Sequence, residues 1–132
     1  MSSPQLVATP LWAALLAILY IVLTVQVIRG RYRTRTVLGN GGDQALERAI
    51  RAHANFAEYV PLTLVLLLLL ELQGAWPWFV NLMGLLLLVG RASHAFGISS
   101  TAEVLVRRQF GTVATVTALS AAALGNLAML AR

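Results

Sequence analysis

Six polar side chains lie in the first half of an otherwise apolar segment, residues 46–72. They are Glu47, Arg48, Arg51, His53, Asn55 and Glu58. On a helix with about 100° per residue, all of them except His53 fall within an arc of roughly 100°. Ionisable groups that enter a membrane are costly and usually face a bundle interior or a wet cavity. The spacing therefore predicts a polar helix face that binds a ligand.

A second interpretation of this polar face stays open, because polar side chains also hold transmembrane helices or protomers together. The two histidines carry no metal signature, since they are far apart in the sequence and the chain has no Cys. His53 lies off the polar arc, so we expect it to pack against a helix or to cap one. His94 suits a hydrogen bond in the core and a ligand contact equally well. No metal site is predicted.

The elements that must position this face are hydrophobic. Of the 132 residues, 58% are hydrophobic and 11% are charged, more apolar surface than a water-soluble fold of this size could bury. We expect an all-α integral membrane protein, a four-helix bundle in one domain. The predicted helices cover residues 6–28, 44–72, 78–96 and 103–130. Asp43 is the predicted N-cap of the second helix, and Glu71 is the predicted solvated end of that helix.

The net charge of +5 comes from arginine. These side chains lie within or beside the hydrophobic spans, so nucleic acid is not an expected partner. Four of them follow the first span as a juxtamembrane run and lead into a glycine-rich loop: Arg29, Arg31, Arg33 and Arg35. By the positive-inside rule we expect this loop to be cytoplasmic, with both termini on the opposite side. The use of arginine without any lysine favours a bacterial source, and hence a bacterial inner membrane. We expect these arginines to contact the phosphates of membrane lipids.

The fourth helix opens with two adjacent arginines. Arg108 shares a face with Thr112 and Thr115, whereas Arg107 lies about 100° away, so Arg108 is the better inward-facing candidate and Arg107 is the interfacial one. The small residues that follow let helices approach closely, which favours an oligomer interface.

Charged side chains of three predicted helices lie toward the Arg-rich loop. They are Glu47, Glu58, Arg48, Arg51, Arg91 and Arg108. The surplus of two positive charges near a low-dielectric region requires counter-anions. Because arginine binds carboxylates in bidentate geometry, the sequence predicts a zwitterionic, net-anionic small-molecule ligand.

The spacing of these residues also matches a known pattern. The chain reads Glu47-Arg48-x-x-Arg51-Ala52-His53-x-Asn55-x-x-Glu58-x-x-Pro61, then Gly90-Arg91-x-x-His94, then an arginine that opens the fourth helix. This pattern resembles the MAPEG family, the membrane-associated proteins in eicosanoid and glutathione metabolism, over nearly the whole chain. The resemblance implies a four-helix protomer of a homotrimer, with glutathione as a co-substrate bound between adjacent protomers.

The resemblance also implies roles for single residues. Glutathione would be bound by Arg51, Asn55, Glu58 and His94, and by Arg31 or Arg33 of a neighbouring protomer. Arg108, or less favourably Arg107, would stabilise the glutathione thiolate. A structural ion network would contain Glu47, Arg48 and Arg91.

The function implied is that of a membrane-bound glutathione transferase, or peroxidase, which activates the thiolate for attack on a lipophilic electrophile, as in detoxification. The alternative is a non-catalytic family member that binds lipid or glutathione. The chain resembles a bacterial-type member, and Ala54, Ile98 and Gln109 depart from the prostaglandin E synthases, which argues against prostaglandin isomerisation. A small multidrug exporter is not favoured, because residues 6–28 contain no membrane-buried Glu.

Overall fold

A computed structural model describes residues 6–99 and 105–131. All regular secondary structure in these two ranges is helical. The helices are α1 (Ala8–Thr34), α2 (Gln44–Leu72), α3 (Pro77–Ser99) and α4 (Leu105–Leu130). Each of the four is long and apolar enough to cross a membrane. The predicted all-α class with four membrane-spanning helices is confirmed.

The central helices are α2 and α3, which pack against each other and against both outer helices. Helix α1 lies on one side of this pair, and α4 lies on the other. Leucines on α1, α2 and α3, namely Leu16, Leu67 and Leu87, meet in the core and are fully buried. The apolar outer faces of α1 and α4 remain exposed, as expected for helices that contact lipid.

Helix α1 is longer than predicted. It ends at Thr34 instead of residue 28, so Arg29, Arg31 and Arg33 extend the helix and do not begin a loop. Arginine is a good helix former, and cations near a helix C-terminus interact favourably with the helix dipole. Arg35 then adopts a left-handed conformation, with φ of 52°, and the chain leaves the helix axis.

Helix α2 begins as predicted, because the Asp43 carboxylate accepts a hydrogen bond of 2.7 Å from the backbone N–H of Leu46. Helix α3 continues beyond its predicted end at residue 96. Gly97 lies inside this helix and lets α4 approach, since a Cβ there would lie 3.0 Å from the backbone nitrogen of Arg108. Residues 103 and 104, predicted as the start of α4, lie outside the described residues.

Glu71 is not a solvated helix end. Its carboxylate accepts hydrogen bonds of 2.7 to 2.8 Å from the backbone N–H groups of Val7, Ala8 and Thr9. The first N–H groups of a helix have no intrahelical acceptor, and a negative charge near them is favourable. Glu71 therefore caps α1 and ties the end of α2 to the start of α1.

Several small residues of α4 are buried in its contacts with other helices of the same chain. Gly111, Ala114, Ala118 and Ala122 are buried within the bundle, where α4 packs closely against α3. These four residues therefore pack against other helices of the same chain, and the oligomer interface on α4 stays a prediction. The close approach instead brings the start of α4 beside the polar half of α2.

Candidate ligand site at the arginine-rich end

A groove of about 370 Å³ opens between the first turns of α2 and the start of α4. We call it the arginine groove, and it is lined by Gln44, Glu47, Arg48, Arg51, Ile98 and Arg108. Three guanidinium groups against one carboxylate give it a surplus of positive charge. Arg51 and Arg108 are both exposed in the protomer. The groove can therefore receive an anionic ligand from outside the bundle.

Arg108, and not its neighbour, faces this groove. Arg108 shares its side of α4 with Gly111 and Thr115, which are buried against α3. Arg107 contacts α3 through its main chain, since its carbonyl accepts a hydrogen bond of 3.0 Å from the Ser93 hydroxyl. The orientation of α4 therefore supports the expected inward-facing candidate.

Asn55 lies one turn beyond Arg51 on α2 and is held by Arg91 of α3. The Nη1 atom of Arg91 donates to the Asn55 side-chain oxygen at 3.0 Å and to the Asn55 carbonyl at 3.4 Å. A guanidinium has no acceptor, so only the amide oxygen of Asn55 can face it. The amide NH₂ therefore points away from Arg91.

The same guanidinium also binds α4. Arg91 donates from Nε to the Thr115 hydroxyl at 2.7 Å and from Nη2 to the Gly111 carbonyl at 3.1 Å. Its Cζ atom lies 5.4 Å from the centre of the Tyr59 ring, within the range of a cation–π contact. Arg91 is only 2% exposed. It joins three helices and fixes the spacing between Asn55 on α2 and the start of α4.

The expected ion network of Glu47, Arg48 and Arg91 does not form around Arg91. Its partners are neutral oxygens and an aromatic ring. Glu47 lies two turns before Asn55 and accepts a hydrogen bond of 2.9 Å from the Asn40 side chain in the α1–α2 loop. The separation along α2 keeps the Glu47 carboxylate away from the buried guanidinium.

The two histidines lie in different contacts. His53 stacks on Tyr20 at 4.6 Å, and its Nε2 is 3.2 Å from the Thr24 hydroxyl, so the prediction of a packed histidine is confirmed. His94 is buried in the contact between α3 and α4, where a Cβ at Gly111 would lie 2.7 Å from its backbone nitrogen. This position favours a core role for His94 over direct ligand contact. Within residues 6–99 and 105–131, no three metal-ligating side chains come together.

Glu58 continues the face of Arg51 two turns further along and lies at the middle of α2. Its side chain is exposed on the protomer. A carboxylate at that depth is costly against lipid, so a ligand, water or another protein surface must cover it.

Arg31 and Arg33 are held by their own loop. Arg31 donates from Nη1 to the carbonyls of Val37 and Gly39 at 2.9 and 3.2 Å. Arg33 forms a salt bridge of 2.8 Å with Asp43. Neither arginine lines the arginine groove.

Sequence reasoning missed the two acceptors that position Arg91. Thr115 and Gly111 share a face with Arg108, and they are four residues apart. The Thr115 hydroxyl was a usable signal, because a hydroxyl on a transmembrane helix commonly bonds to a neighbouring helix, whereas the backbone carbonyl of Gly111 gives no signal in the sequence. The contributions of Gln44 and Ile98 to the groove have no sequence signal that we can identify.

Comparison with known proteins agrees with this architecture. Residues 9–128 match the MAPEG family. The chain is also similar to proteins named inner membrane protein YecN in Escherichia coli, strains K12 and O6:H1 CFT073. For each, 38% of 117 aligned residues are identical, covering 89% of this chain and 88% of the relative. With four apolar helices and these relatives, the chain is an integral inner membrane protein. The match over residues 9–128 shows that the chain belongs to the MAPEG family.

Proposed function

We propose that the arginine groove binds glutathione and that the chain is a membrane-bound glutathione transferase acting on lipophilic electrophiles. Glutathione carries two carboxylates, one ammonium group and a thiol, which is the zwitterionic and net-anionic chemistry that the groove favours. Family membership supports the proposal, since glutathione metabolism is what the family resemblance implies.

The observation that carries the proposal is that Arg51 and Arg108 line one groove although they lie on different helices. Arginine forks bind carboxylates in bidentate geometry. Arg51 would bind a glutathione carboxylate, and the NH₂ group of Asn55 would donate to a second acceptor. Arg108 would then be the cation nearest to the sulfur.

The role of Arg108 is to ionise the thiol. A free thiol with a pKa of about 8.5 is only about 3% thiolate at pH 7. Lowering that pKa by about two units requires about 2.7 kcal/mol of preferential stabilisation and makes the thiolate the major form. One guanidinium within contact of the sulfur can supply this stabilisation in a site shielded from water.

An electrophile can reach the sulfur from the apolar side. Arg108 also lines a second groove, of about 340 Å³, together with Leu105, Gln109, Thr112 and Val113. Arg108 therefore lies at the boundary between a polar groove and a more apolar one. A lipophilic aryl halide entering from the bilayer would form a C–S bond with the thiolate and release halide.

We further propose a homotrimer with the site between protomers. The support is the exposure of Arg51 and Glu58 on the outer face of α2, since lipid contact would be costly there. A second protomer would cover this face and bring Arg31 or Arg33 toward the ligand. The Arg-rich loop would lie on the cytoplasmic side, where the positive-inside rule places it.

The test is a calorimetric titration of glutathione into the full chain in detergent, followed by conjugation to chlorodinitrobenzene. Arg51→Gln should weaken binding by about tenfold or more, the usual effect of losing a charge-assisted hydrogen bond. Arg107→Gln removes the same charge from the neighbouring position on α4 and should bind as the wild type does. Absence of glutathione binding in the wild type overturns the proposal.

The same experiment distinguishes the transferase from the alternative, a non-catalytic protein that binds glutathione. Binding without turnover of any electrophile would identify a non-catalytic glutathione-binding protein, and the transferase assignment would be wrong. Mass measurement of the purified protein tests the trimer independently, and a monomer that binds glutathione normally would contradict a site between protomers.

A further inference from the structure

A second groove lies at the same end of the bundle, at the end of α1. Its volume is about 590 Å³. We call it the loop groove, and it is lined by Ile28, Arg31, Tyr32, Arg35, Thr36 and Val37. It shares no residue with the arginine groove.

Large apolar side chains are exposed around the loop groove. Tyr32, Val37 and Leu38 are 82%, 85% and 86% exposed, more than the apolar side chains along the outer face of α1 such as Ile21 at 61%. Adjacent exposed Val and Leu at a loop tip are unfavourable in water. Tyr32 has the amphipathic ring typical of membrane interfaces. The tip therefore has the composition of a segment that contacts the interfacial layer of a bilayer.

The backbone holds this tip in a defined shape. Arg31 donates to the carbonyls of Val37 and Gly39, and the Thr36 N–H donates to the Arg31 carbonyl at 3.1 Å. The left-handed conformation of Arg35 turns the chain between these contacts. Because these hydrogen bonds restrain the main chain, the apolar side chains project from an ordered loop.

The charges of the loop groove are all positive. Arg31 and Arg35 line it and no acidic side chain does, while the nearby Asp43 is paired with Arg33. Ile28 continues the apolar surface of the membrane-spanning part of α1 into the groove. A ligand that satisfies both features has an anionic head and a hydrocarbon tail.

We propose that the loop groove is a binding site for an anionic glycerophospholipid. The phosphate lies at Arg31 and Arg35, so the contact with glutathione from a neighbouring protomer falls to Arg33. An acyl chain follows Tyr32, Val37 and Ile28 toward the bilayer core. Clustered arginines beside a transmembrane helix attract anionic lipids. The ordered loop makes this a shaped site, beyond the general attraction of a basic surface.

The test uses the purified full chain in detergent, titrated with phosphatidylglycerol or phosphatidylcholine, with retained lipid counted by native mass spectrometry. The wild type should retain phosphatidylglycerol preferentially. Arg35→Gln should lower that preference by about fivefold, the contribution expected of one basic residue near anionic lipid. Val37→Ser should lower retention of both lipids. Arg107→Gln, which loses the same charge outside the groove, should retain the wild-type preference.

Several results would contradict the proposal of a lipid site in the loop groove. Equal losses in Arg35→Gln and Arg107→Gln would show only a general attraction to positive charge. An unchanged preference in Arg35→Gln, or none in the wild type, would remove the proposed phosphate contact. A smaller assembly mass for Val37→Ser would show that the tip contacts another copy of the chain. Arg35→Gln should leave glutathione binding unchanged, so the lipid site is tested separately from the proposed function.

Discussion

The guanidinium of Arg91 donates to the side-chain oxygen of Asn55 at 3.0 Å, and this contact decides which end of the amide points away from Arg91. Since Arg91 has no acceptor, the Asn55 oxygen must point to it and the NH₂ group must point elsewhere. We therefore expect Asn55 to act as a donor toward glutathione. The ammonium group of glutathione would have to find its acceptor in a carboxylate such as that of Glu58.

Asn55→Asp tests this polarity. The substitution keeps the acceptor for Arg91 but replaces the NH₂ donor with a carboxylate oxygen. We expect the thermal stability in detergent to be kept, because the buried guanidinium then gains a charged partner. Glutathione affinity should fall by at least tenfold, because a donor becomes a like-charged acceptor. Calorimetry gives the affinity and thermal unfolding gives the stability.

Asn55→Ala is the matched control, because it removes both functions of the side chain. We expect it to lower the stability by about 1–3 kcal/mol, since the buried Arg91 loses an acceptor. Wild-type affinity in Asn55→Asp would contradict the donor role, whatever the stability of either variant.

The close contact between α3 and α4 predicts that a single added methyl group at Gly111 lowers the stability of the protein. A Cβ at Gly111 would lie 2.5 Å from the Gly90 carbonyl oxygen, a backbone atom of α3 that cannot move away without a shift of the helix. Gly111→Ala should force the helices apart, cost about 1–3 kcal/mol of stability and lengthen the bond from Arg91 to the Gly111 carbonyl. Ser120→Ala, at an exposed position on the same helix, should change the stability little. Thermal unfolding that places both variants near the wild type would contradict the packing described here.

The contact of Glu71 with the start of α1, at the other end of the bundle, predicts a graded loss of stability in two variants. Glu71 accepts from Val7 and Ala8 through one oxygen and from Thr9 through the other. Glu71→Ala removes both acceptors and should cost about 1–2 kcal/mol, the usual loss for a helix cap. Glu71→Gln keeps one oxygen and should lie between the alanine variant and the wild type. Equal thermal stability of all three proteins would show that the cap contributes nothing.

The fold class was predictable because apolar spans and polar breaks leave few alternatives. The start of α2 was predictable for a local reason, since Asp43 precedes the helix as a side-chain cap. Helix ends were harder. Arg29, Arg31 and Arg33 look like a loop in a hydropathy pattern, yet charged residues can continue a helix beyond the membrane, and hydropathy carries no signal for that.

The shared face of Arg51 and Asn55 followed from helical periodicity alone. The contacts of Glu71 and Arg91 did not, because their partners lie on other helices and depend on how those helices pack. The family resemblance implied an ion network around Arg91, but a buried guanidinium can also be satisfied by neutral oxygens, as it is by Thr115 and Gly111. Composition does not show whether a buried arginine is paired with carboxylates or with neutral oxygens.

The most direct test of the central claim is the ultraviolet absorbance of the thiolate of bound glutathione, titrated between pH 5 and pH 9. In the wild type and in Arg107→Gln we expect the bound thiol to be mostly ionised at pH 7, with the midpoint about two units below that of free glutathione. In Arg108→Gln the midpoint should return toward the free value, and the conjugation rate at pH 7 should fall by about twentyfold. A bound thiol that titrates like free glutathione in the wild type, or a midpoint that Arg108→Gln leaves in place, would contradict the assignment of Arg108.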